Sequence, residues 1–268
     1  MKYERRKYTL SRIGNSLPVS LCIYVLIVFL ICRAALTGSE AMGYNWQWYR
    51  VPQFLYRHTE DGFQLGELVW GLWGTIKLSV LAFALATILG LGIVLLRLSK
   101  LVVGSAVATV YLEIVRNTPI LILLYLFYYI LGQIFNFDRF TAAVLCLAAY
   151  HAALISEVFR AGIKSVPQGQ WEAARSIGMS DSLAFRKIIL PQTIKIVLPP
   201  LTGEAINLVK SSAIVSVIAV SELTTVGRNL ISDTYMSFEI WFTIAIIYAI
   251  LTLLLSILAN LIEKRLEN

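Results

Sequence analysis

Long apolar stretches that lack charged residues run through most of the chain. Residues 240–262 form 23 consecutive positions without Asp, Glu, Lys or Arg, and residues 68–96 form 29 positions whose only charge is Lys77. A helix of about 20 apolar residues spans the hydrocarbon core of a bilayer, where every backbone polar group must be bonded internally. Four further stretches complete the set of six predicted spans: residues 17–36, 119–135, 141–155 and 191–220. We therefore predict an all-α, polytopic membrane helical bundle.

The composition excludes several other classes of protein. Charged residues make up 15% of the 268 positions and apolar residues 58%, whereas a typical soluble domain has about 25% charged residues. A soluble enzyme, a disordered chain and a nucleic-acid-binding domain are all disfavoured by this balance. No paired catalytic carboxylates, nucleophile triad or metal-binding cluster is visible in the sequence, so we predict a non-enzymatic membrane protein.

The net charge of +7 is explained by topology. With both termini in the cytoplasm, sixteen of the 23 basic residues fall on the cytoplasmic side and five on the outer side. Cytoplasmic loops of membrane proteins carry this excess of Lys and Arg. The sixteen are Lys2, Arg5, Arg6, Lys7, Arg12, Arg97, Lys100, Arg116, Arg160, Lys164, Arg175, Arg186, Lys187, Lys195, Lys264 and Arg265.

The first 66 residues form a predicted N-terminal part, distinct from a main domain over residues 67–268. Its span carries Arg33 near the end; a cleaved signal peptide is the alternative, but no clean cleavage site follows the apolar core. Residues 37–66 are rich in Trp, Tyr and Phe, which favour the headgroup region. We expect this loop to lie along the outer membrane interface, with docking of a partner as the alternative.

The segment before the third predicted span, residues 101–117, is less apolar and contains Glu113 and Arg116. We interpret it as an interfacial helix that leads into the span beginning at Pro119. Proline lacks a backbone N–H group, and the N–H groups of the first helical turn have no acceptor within the helix. Proline is therefore well suited to this position. Thr118 is predicted to be the N-cap of that helix.

The longest polar segment on the predicted cytoplasmic side covers residues 165–191. Pro167 is placed to begin a helix and Gly178 to end it, as expected from the asymmetry of helix ends. Ser180 or Asp181 is placed to cap a second helix, which Pro191 is predicted to end. We predict a short helix-turn-helix that docks into a groove on a soluble partner.

This segment resembles the EAA loop of permease subunits of bacterial ATP-binding-cassette importers. The resemblance rests on Glu172-Ala173-Ala174, then Gly178 after three residues, and Ile188 and Leu190-Pro191 further on. Three neighbouring patterns resemble the polar amino acid uptake branch of these importers. They are Arg116-Asn117-Thr118-Pro119, the stretch from Ser156 to Ile163, and Leu198-Pro199-Pro200-Leu201 followed by Glu204, Asn207, Leu208 and Lys210. The resemblance covers residues 68–262.

The resemblance implies a type I importer fold, with a five-span permease core and one extra N-terminal span. It implies a multi-pass subunit of the bacterial inner membrane that pairs with a second permease chain, identical or different. Cytoplasmic ATPase subunits would bind ATP and Mg²⁺, since this chain has no cofactor of its own, and an extracytoplasmic binding protein would deliver the amino acid. The coupling loop, at about residues 163–191, would contact the ATPase through Trp171, Glu172, Ala173, Ala174, Gly178, Leu190 and Pro191.

A polar stripe within the fifth predicted span marks a candidate substrate site. Glu204, Asn207 and Ser211 recur at helical spacing, and ionisable groups inside spans usually face a cavity or a partner. Pro199 and Pro200 are predicted to make the helix irregular just before the stripe, as in many transporter sites. The full set of candidate substrate contacts is Asn117, Thr118, Tyr150, His151, Glu204, Asn207, Ser211 and Ser212.

Structural roles for the same ionisable residues remain open. Glu204 could instead pair with Lys210 or Arg116, and His151 could be a neutral histidine that bonds two helices. Glu157 and Arg160 are spaced to form an ion pair on one helix. Lys77 has no evident partner in the sequence other than a possible dimer contact.

The charges of the polar stripe bear on the substrate and on the mode of transport. A carboxylate at Glu204 could hold the substrate ammonium group, and Ser211 stands where the family pattern often has Asp. This departure favours acidic or neutral polar amino acids over basic ones. The alternative class is a secondary transporter, which would couple uptake to an ion gradient through Glu204 or His151 and would not require the EAA loop.

Overall fold

The computed structural model describes residues 17–59, 62–99 and 101–267, so that Lys2, Arg5, Arg6, Lys7, Arg12 and Lys100 from the charge tally lie outside them. The chain divides into two compact units, residues 1–47 and 48–268. The described part of the first unit contains a single long helix, α1 (Leu17–Ala41). Cys22 and Cys32 lie on α1 as exposed free thiols.

The second unit begins with a small structured segment and continues as helices. A 3₁₀ helix (Trp48–Phe54) leads into an antiparallel hairpin of β1 (Tyr56–Thr59) and β2 (Gly62–Leu65). The helices are α2 (Glu67–Leu98), α3 (Val102–Arg116), α4 (Ile120–Phe135), α5 (Arg139–Ser165), α6 (Gln168–Ser176), α7 (Asp181–Ile218), α8 (Leu223–Thr234) and α9 (Ser237–Glu267).

The prediction of a polytopic membrane bundle is confirmed. Among the described residues, five helices are long and apolar enough to cross a membrane: α1, α2, α5, α7 and α9. A sixth span is formed if α3 and α4, which meet at a bend of 107°, are counted as one broken span. This bent pair is the predicted interfacial helix followed by its short span.

The predicted cap at the α3–α4 bend is wrong. The Thr118 hydroxyl donates to the Ile114 carbonyl at 2.7 Å, and no side chain caps the start of α4. At this bend the last turn of α3 exposes carbonyls that lack a helical partner. The threonine therefore satisfies the end of α3 rather than the beginning of α4.

Small residues bring α5 close to its neighbours on two sides. A Cβ placed on Gly90 of α2 would lie 2.9 Å from the Ile155 Cγ2 atom, and one placed on Gly162 would lie 2.1 Å from the Val197 Cγ1 atom of α7. Close approach through small residues is the usual basis of helix packing in lipid. The contact at Gly162 joins α5 to α7 near the end of the bundle that carries α6.

The second predicted helix of the loop does not end at Pro191. It continues as α7 through a π-helical turn at Phe185–Ile189, in which the Leu190 N–H donates to the Phe185 carbonyl. A π turn is wider than an α turn, and this one ends two residues before Pro191. Pro199 and Pro200 also lie inside continuous helix with exposed side chains, so the predicted irregularity there is wrong. The helix changes to 3₁₀ only at Ser212–Ile218.

The start of α8 is built around a buried carboxylate that no sequence pattern indicates. Glu222 is fully buried and accepts the backbone N–H groups of Thr224 and Thr225 at 2.8 and 2.7 Å. It also accepts the hydroxyl groups of Tyr248 on α9, at 3.0 Å, and of Thr75 on α2, at 3.5 Å. Glu222 is thus both the N-cap of α8 and a junction between three helices.

Lys77, which has no partner evident from sequence, is placed over an aromatic ring. Its ammonium nitrogen lies 5.1 Å from the centre of the Phe140 ring. A cation at this distance is attracted by the electron-rich face of the ring. The contact joins α2 to the first turn of α5 and gives this charge a role within the fold.

Candidate functional site

The loop between α5 and α7 forms the predicted helix-turn-helix. Pro167 precedes α6, and Gly178 follows it with φ of +80°. This left-handed conformation is readily adopted only by glycine. The Ser180 hydroxyl then accepts the Leu183 N–H at 3.4 Å as the N-cap of α7, so the predicted start of the second helix is confirmed.

Contacts within the loop hold its two helices together. Ala174 is fully buried, and the Trp171 ring stacks on the Phe185 ring with 6.4 Å between their centres. An ion pair of 2.9 Å between Arg175 and Asp181 bridges the turn. The loop is therefore an ordered knob whose orientation depends on α5 and α7.

The outward face of the knob carries some of the predicted contact residues, whereas Ala174 is buried within the knob and Trp171 packs on Phe185. Glu172 and Ala173 are exposed, and 75% of the Ile177 side chain is accessible. A carboxylate beside a small residue and an apolar side chain offers both charge pairing and close approach to a partner. Leu190 and Pro191 lie further along, where the π turn ends and α7 becomes regular.

A polar cluster joins α5 to α7 within the span region. The His151 Nδ1 atom lies 3.3 Å from the Glu204 Oε2 atom, and the Asn207 amide nitrogen lies 3.4 Å from Oε1 of the same carboxylate. His151 is 1% exposed and the Glu204 side chain 18%. His151 therefore bonds two helices, and Glu204 pairs with His151 rather than with Lys210 or Arg116.

The surroundings of this cluster leave some bonding capacity unused. The Tyr150 ring packs edge-on against the His151 ring, 5.3 Å away. The His151 Nε2 atom is buried and has no hydrogen-bond partner among the described residues. The Glu204 carboxylate is partly exposed and lies next to this histidine. It can therefore accept a hydrogen bond from an ammonium group, because hydrogen bonds between charged groups are the strongest polar contacts in a low-dielectric site.

The side chains of the other candidate substrate contacts bond to nearby groups of their own helices or lie at a helix end. The Asn117 amide donates to the carbonyl and the carboxylate of Glu113, at 2.7 and 3.1 Å. The Ser212 hydroxyl is buried and donates to the Val209 carbonyl at 2.7 Å, and Ser211 ends the α-helical part of α7. Thr118 is bonded to the end of α3. The structure thus joins Tyr150, His151, Glu204 and Asn207 into one cluster.

The predicted ion pair between Glu157 and Arg160 is confirmed, with 2.8 Å between Arg160 Nε and Glu157 Oε2. Glu157 also pairs with Arg97 and Arg116, which the sequence spacing could not indicate. Across residues 17–59, 62–99 and 101–267, no group of three His, Cys, Asp or Glu side chains is arranged to hold a metal ion.

Comparison with known proteins gives consistent matches. Residues 88–268 match a family described as "Binding-protein-dependent transport system inner membrane component". The probable glutamine ABC transporter permease protein GlnM of Bacillus subtilis (strain 168) is 40% identical over 199 residues, which cover 74% of this chain and 92% of that protein. The glutamine transport system permease protein GlnP of Escherichia coli (strain K12) is 34% identical over 203 residues, covering 75% and 93%.

A solved structure supports the same grouping. The crystal structure of an amino acid ABC transporter with histidines contains a chain that is 42% identical to this one. The two superimpose with a TM-score of 0.71, over 74% of this chain and 94% of the other.

Proposed function

Because the chain belongs to the family of binding-protein-dependent transport system inner membrane components, we propose that it forms the transport pathway of an ATP-driven amino acid importer and docks its ATPase through the α6 loop. Its place in this family makes it a non-catalytic, multi-pass permease subunit of an amino acid ABC transporter. An ATPase subunit and a substrate-binding protein are the partners that such a subunit requires. We place it in the inner membrane, with α6 in the cytoplasm.

The observation that carries the docking proposal is the ordered α6 knob. Its buried Ala174 and stacked Trp171 fix it against α7, while Glu172 remains exposed for a basic group on the ATPase. A second permease chain completes the pathway. Closure of the ATPase subunits would then move α6 as a rigid body and give alternating access.

We propose a polar amino acid as substrate, acidic or neutral rather than basic. The described cluster offers one carboxylate, Glu204, which is already partly compensated by His151. One carboxylate suits the α-ammonium group that every amino acid carries and leaves none for a second cation. The relatives named for glutamine and the solved transporter named with histidines agree with a polar side chain.

Reconstitution tests the function directly. The chain is placed in proteoliposomes with its ATPase and binding protein, and ATP hydrolysis and uptake are measured across a panel of amino acids. We expect stimulation by a polar amino acid, and uptake only when ATP and all components are present. Uptake by this chain alone, driven by a proton or sodium gradient, would show a secondary transporter instead.

The substrate site is tested by Glu204→Gln, which removes the negative charge but keeps the size of the side chain. We expect the concentration of amino acid that half-maximally stimulates ATP hydrolysis to rise about fivefold, the effect of losing roughly 1 kcal/mol of binding. Glu263→Gln is the matched control, because Glu263 is also a carboxylate bonded to α7, through Thr202 at 3.1 Å. If both variants keep the wild-type substrate dependence, Glu204 is not a substrate contact.

A further inference from the structure

Three arginines from three helices converge on a single carboxylate. Arg160 of α5 makes two contacts with Glu157 Oε2, at 2.8 Å from Nε and 2.6 Å from Nη2. Arg97 of α2 forms an ion pair with the other oxygen, Oε1, and Arg116 of α3 lies 3.8 Å from that oxygen. We call these four residues the arginine cluster.

The arginine cluster carries more positive charge than its carboxylate can balance. Three guanidinium groups and one carboxylate leave a net charge of +2, and each guanidinium has five donors in total. The nearest carboxylate along α3, Glu113, accepts the Asn117 amide at 3.1 Å, and the ion pairs found among the described residues do not join it to these arginines. The Arg97, Arg116 and Arg160 side chains are 29%, 49% and 30% exposed, so some of their donors face outward.

The arginine cluster lies away from the middle of the spans, toward the end of the bundle that carries α6. Arg97 is the last residue but one of α2, and Arg116 is the last residue of α3. Helix α5 has 27 residues, about 40 Å at 1.5 Å per residue, compared with a hydrocarbon core of about 30 Å. Glu157 is eight residues before its end, about 12 Å, so its carboxylate lies about midway between the membrane centre and the boundary, and the long arginine side chains can extend from it toward the headgroups.

An apolar groove adjoins the arginine cluster. Glu157 lines one edge of a groove of about 400 Å³ between α5 and α7, together with Val158, Ala161, Ile196 and Pro200. A cationic cluster whose arginines can extend toward the headgroups, beside an apolar groove, is complementary to the two parts of a phospholipid, the phosphate and the acyl chain.

We propose that the arginine cluster binds the phosphate of an anionic phospholipid headgroup, of the phosphatidylglycerol type. A phosphodiester accepts paired N–H groups from arginine, and basic pockets between membrane helices are suited to anionic headgroups. A net anionic lipid offsets the excess charge, whereas a zwitterionic lipid brings a second cation. The proposed lipid site is separate from the His151–Glu204 cluster, so it does not depend on the assignment of that cluster to the substrate.

Native mass spectrometry of the full-length chain tests this proposal. Phosphatidylglycerol and phosphatidylcholine with the same acyl chains are titrated, and inorganic phosphate is added in a separate arm. We expect at least fivefold tighter binding of phosphatidylglycerol, reduced to less than twofold in Arg116→Gln and in Arg97→Gln with Arg116→Gln. Lys195→Gln, which removes one exposed charge from α7, is expected to retain the full preference.

Three outcomes would overturn the proposal. They are equal binding of the two lipids by the wild-type chain, an equal loss of preference in Lys195→Gln, and displacement of the lipid by millimolar inorganic phosphate, which would indicate a site for a soluble anion. Arg116 makes the longest contact with Glu157, so Arg116→Gln keeps the test available if the double variant does not fold.

Discussion

Gly178→Asp is expected to reduce ATP-dependent amino acid uptake by at least tenfold while the chain still inserts into the membrane. Gly178 has φ of +80°, and a Cβ at this position would meet no atom within 4 Å. The strain therefore comes from the backbone, where a left-handed conformation costs most L-residues about 1–2 kcal/mol and aspartate somewhat less, and not from a clash. Relief of this strain reorients α6 relative to α7, and the added carboxylate faces the proposed ATPase surface.

Uptake and substrate-stimulated ATP hydrolysis in proteoliposomes measure this effect. Gly178→Asn is a partial rescue, because it removes the added charge, while asparagine and aspartate both tolerate the left-handed region better than other L-residues. Gly169→Asp is the matched control: it adds the same carboxylate to α6 at a helical position with open space around it. If Gly178→Asp supports uptake within twofold of wild type, the loop does not couple the ATPase to the spans.

Glu222→Ala is expected to destabilise the fold by about 3 kcal/mol. The substitution leaves two backbone N–H groups of α8 and the Tyr248 hydroxyl without their buried acceptor, and each unsatisfied group costs about 1–3 kcal/mol. Some of these groups will find water, so the sum is not reached in full. The midpoint of thermal unfolding in detergent should fall by about 10 °C.

Two further variants distinguish the loss of the Glu222 N-cap from the general effect of removing a negative charge from α8. Glu222→Gln keeps one carbonyl acceptor and should lose less than half as much stability. Asp233→Ala removes an exposed carboxylate from the other end of α8 and should change the midpoint by less than 2 °C. A Glu222→Ala protein as stable as the Asp233→Ala protein would mean that the buried carboxylate does not stabilise α8.

The membrane spans are predictable because they depend on local composition. An uncharged apolar run of 23 residues, such as residues 240–262, is not expected in a soluble protein. In the structure, the inner part of α9 covers this run. The turn at Gly178 and the cap at Ser180 are predictable for a related reason. Each depends on the conformational preference of one residue and its immediate neighbours.

The behaviour of Pro191 shows where this local reasoning fails. A proline inside a helix usually ends or kinks it, yet the π turn at Phe185–Ile189 lets α7 continue. The wider turn is stabilised by contacts outside the local sequence, including the stacking of Phe185 on Trp171. A rule for single residues does not contain this information.

Partners from distant parts of the chain are the hardest to predict. His151 and Glu204 are 53 residues apart, and both stand out in the sequence as site candidates, but nothing in their spacing indicates that they pair. Glu222 does not stand out, because glutamate is not among the usual N-cap residues. Its role depends on hydroxyl groups of α2 and α9 that only the fold brings to it.

The close contact between Gly162 and Val197 has a mechanical consequence. Helices α5 and α7 touch there and again at His151 and Glu204, at levels about 16 Å apart along α5. Because α5 and α7 are in contact at two levels, they are expected to tilt together rather than slide past each other. They then move as one rigid unit with α6 at one end. A tilt of about 10° around the Gly162 contact would carry the histidine about 3 Å sideways. A small movement of the loop therefore displaces the His151–Glu204 cluster as a unit, by enough to make or break a hydrogen bond between this cluster and a group outside α5 and α7.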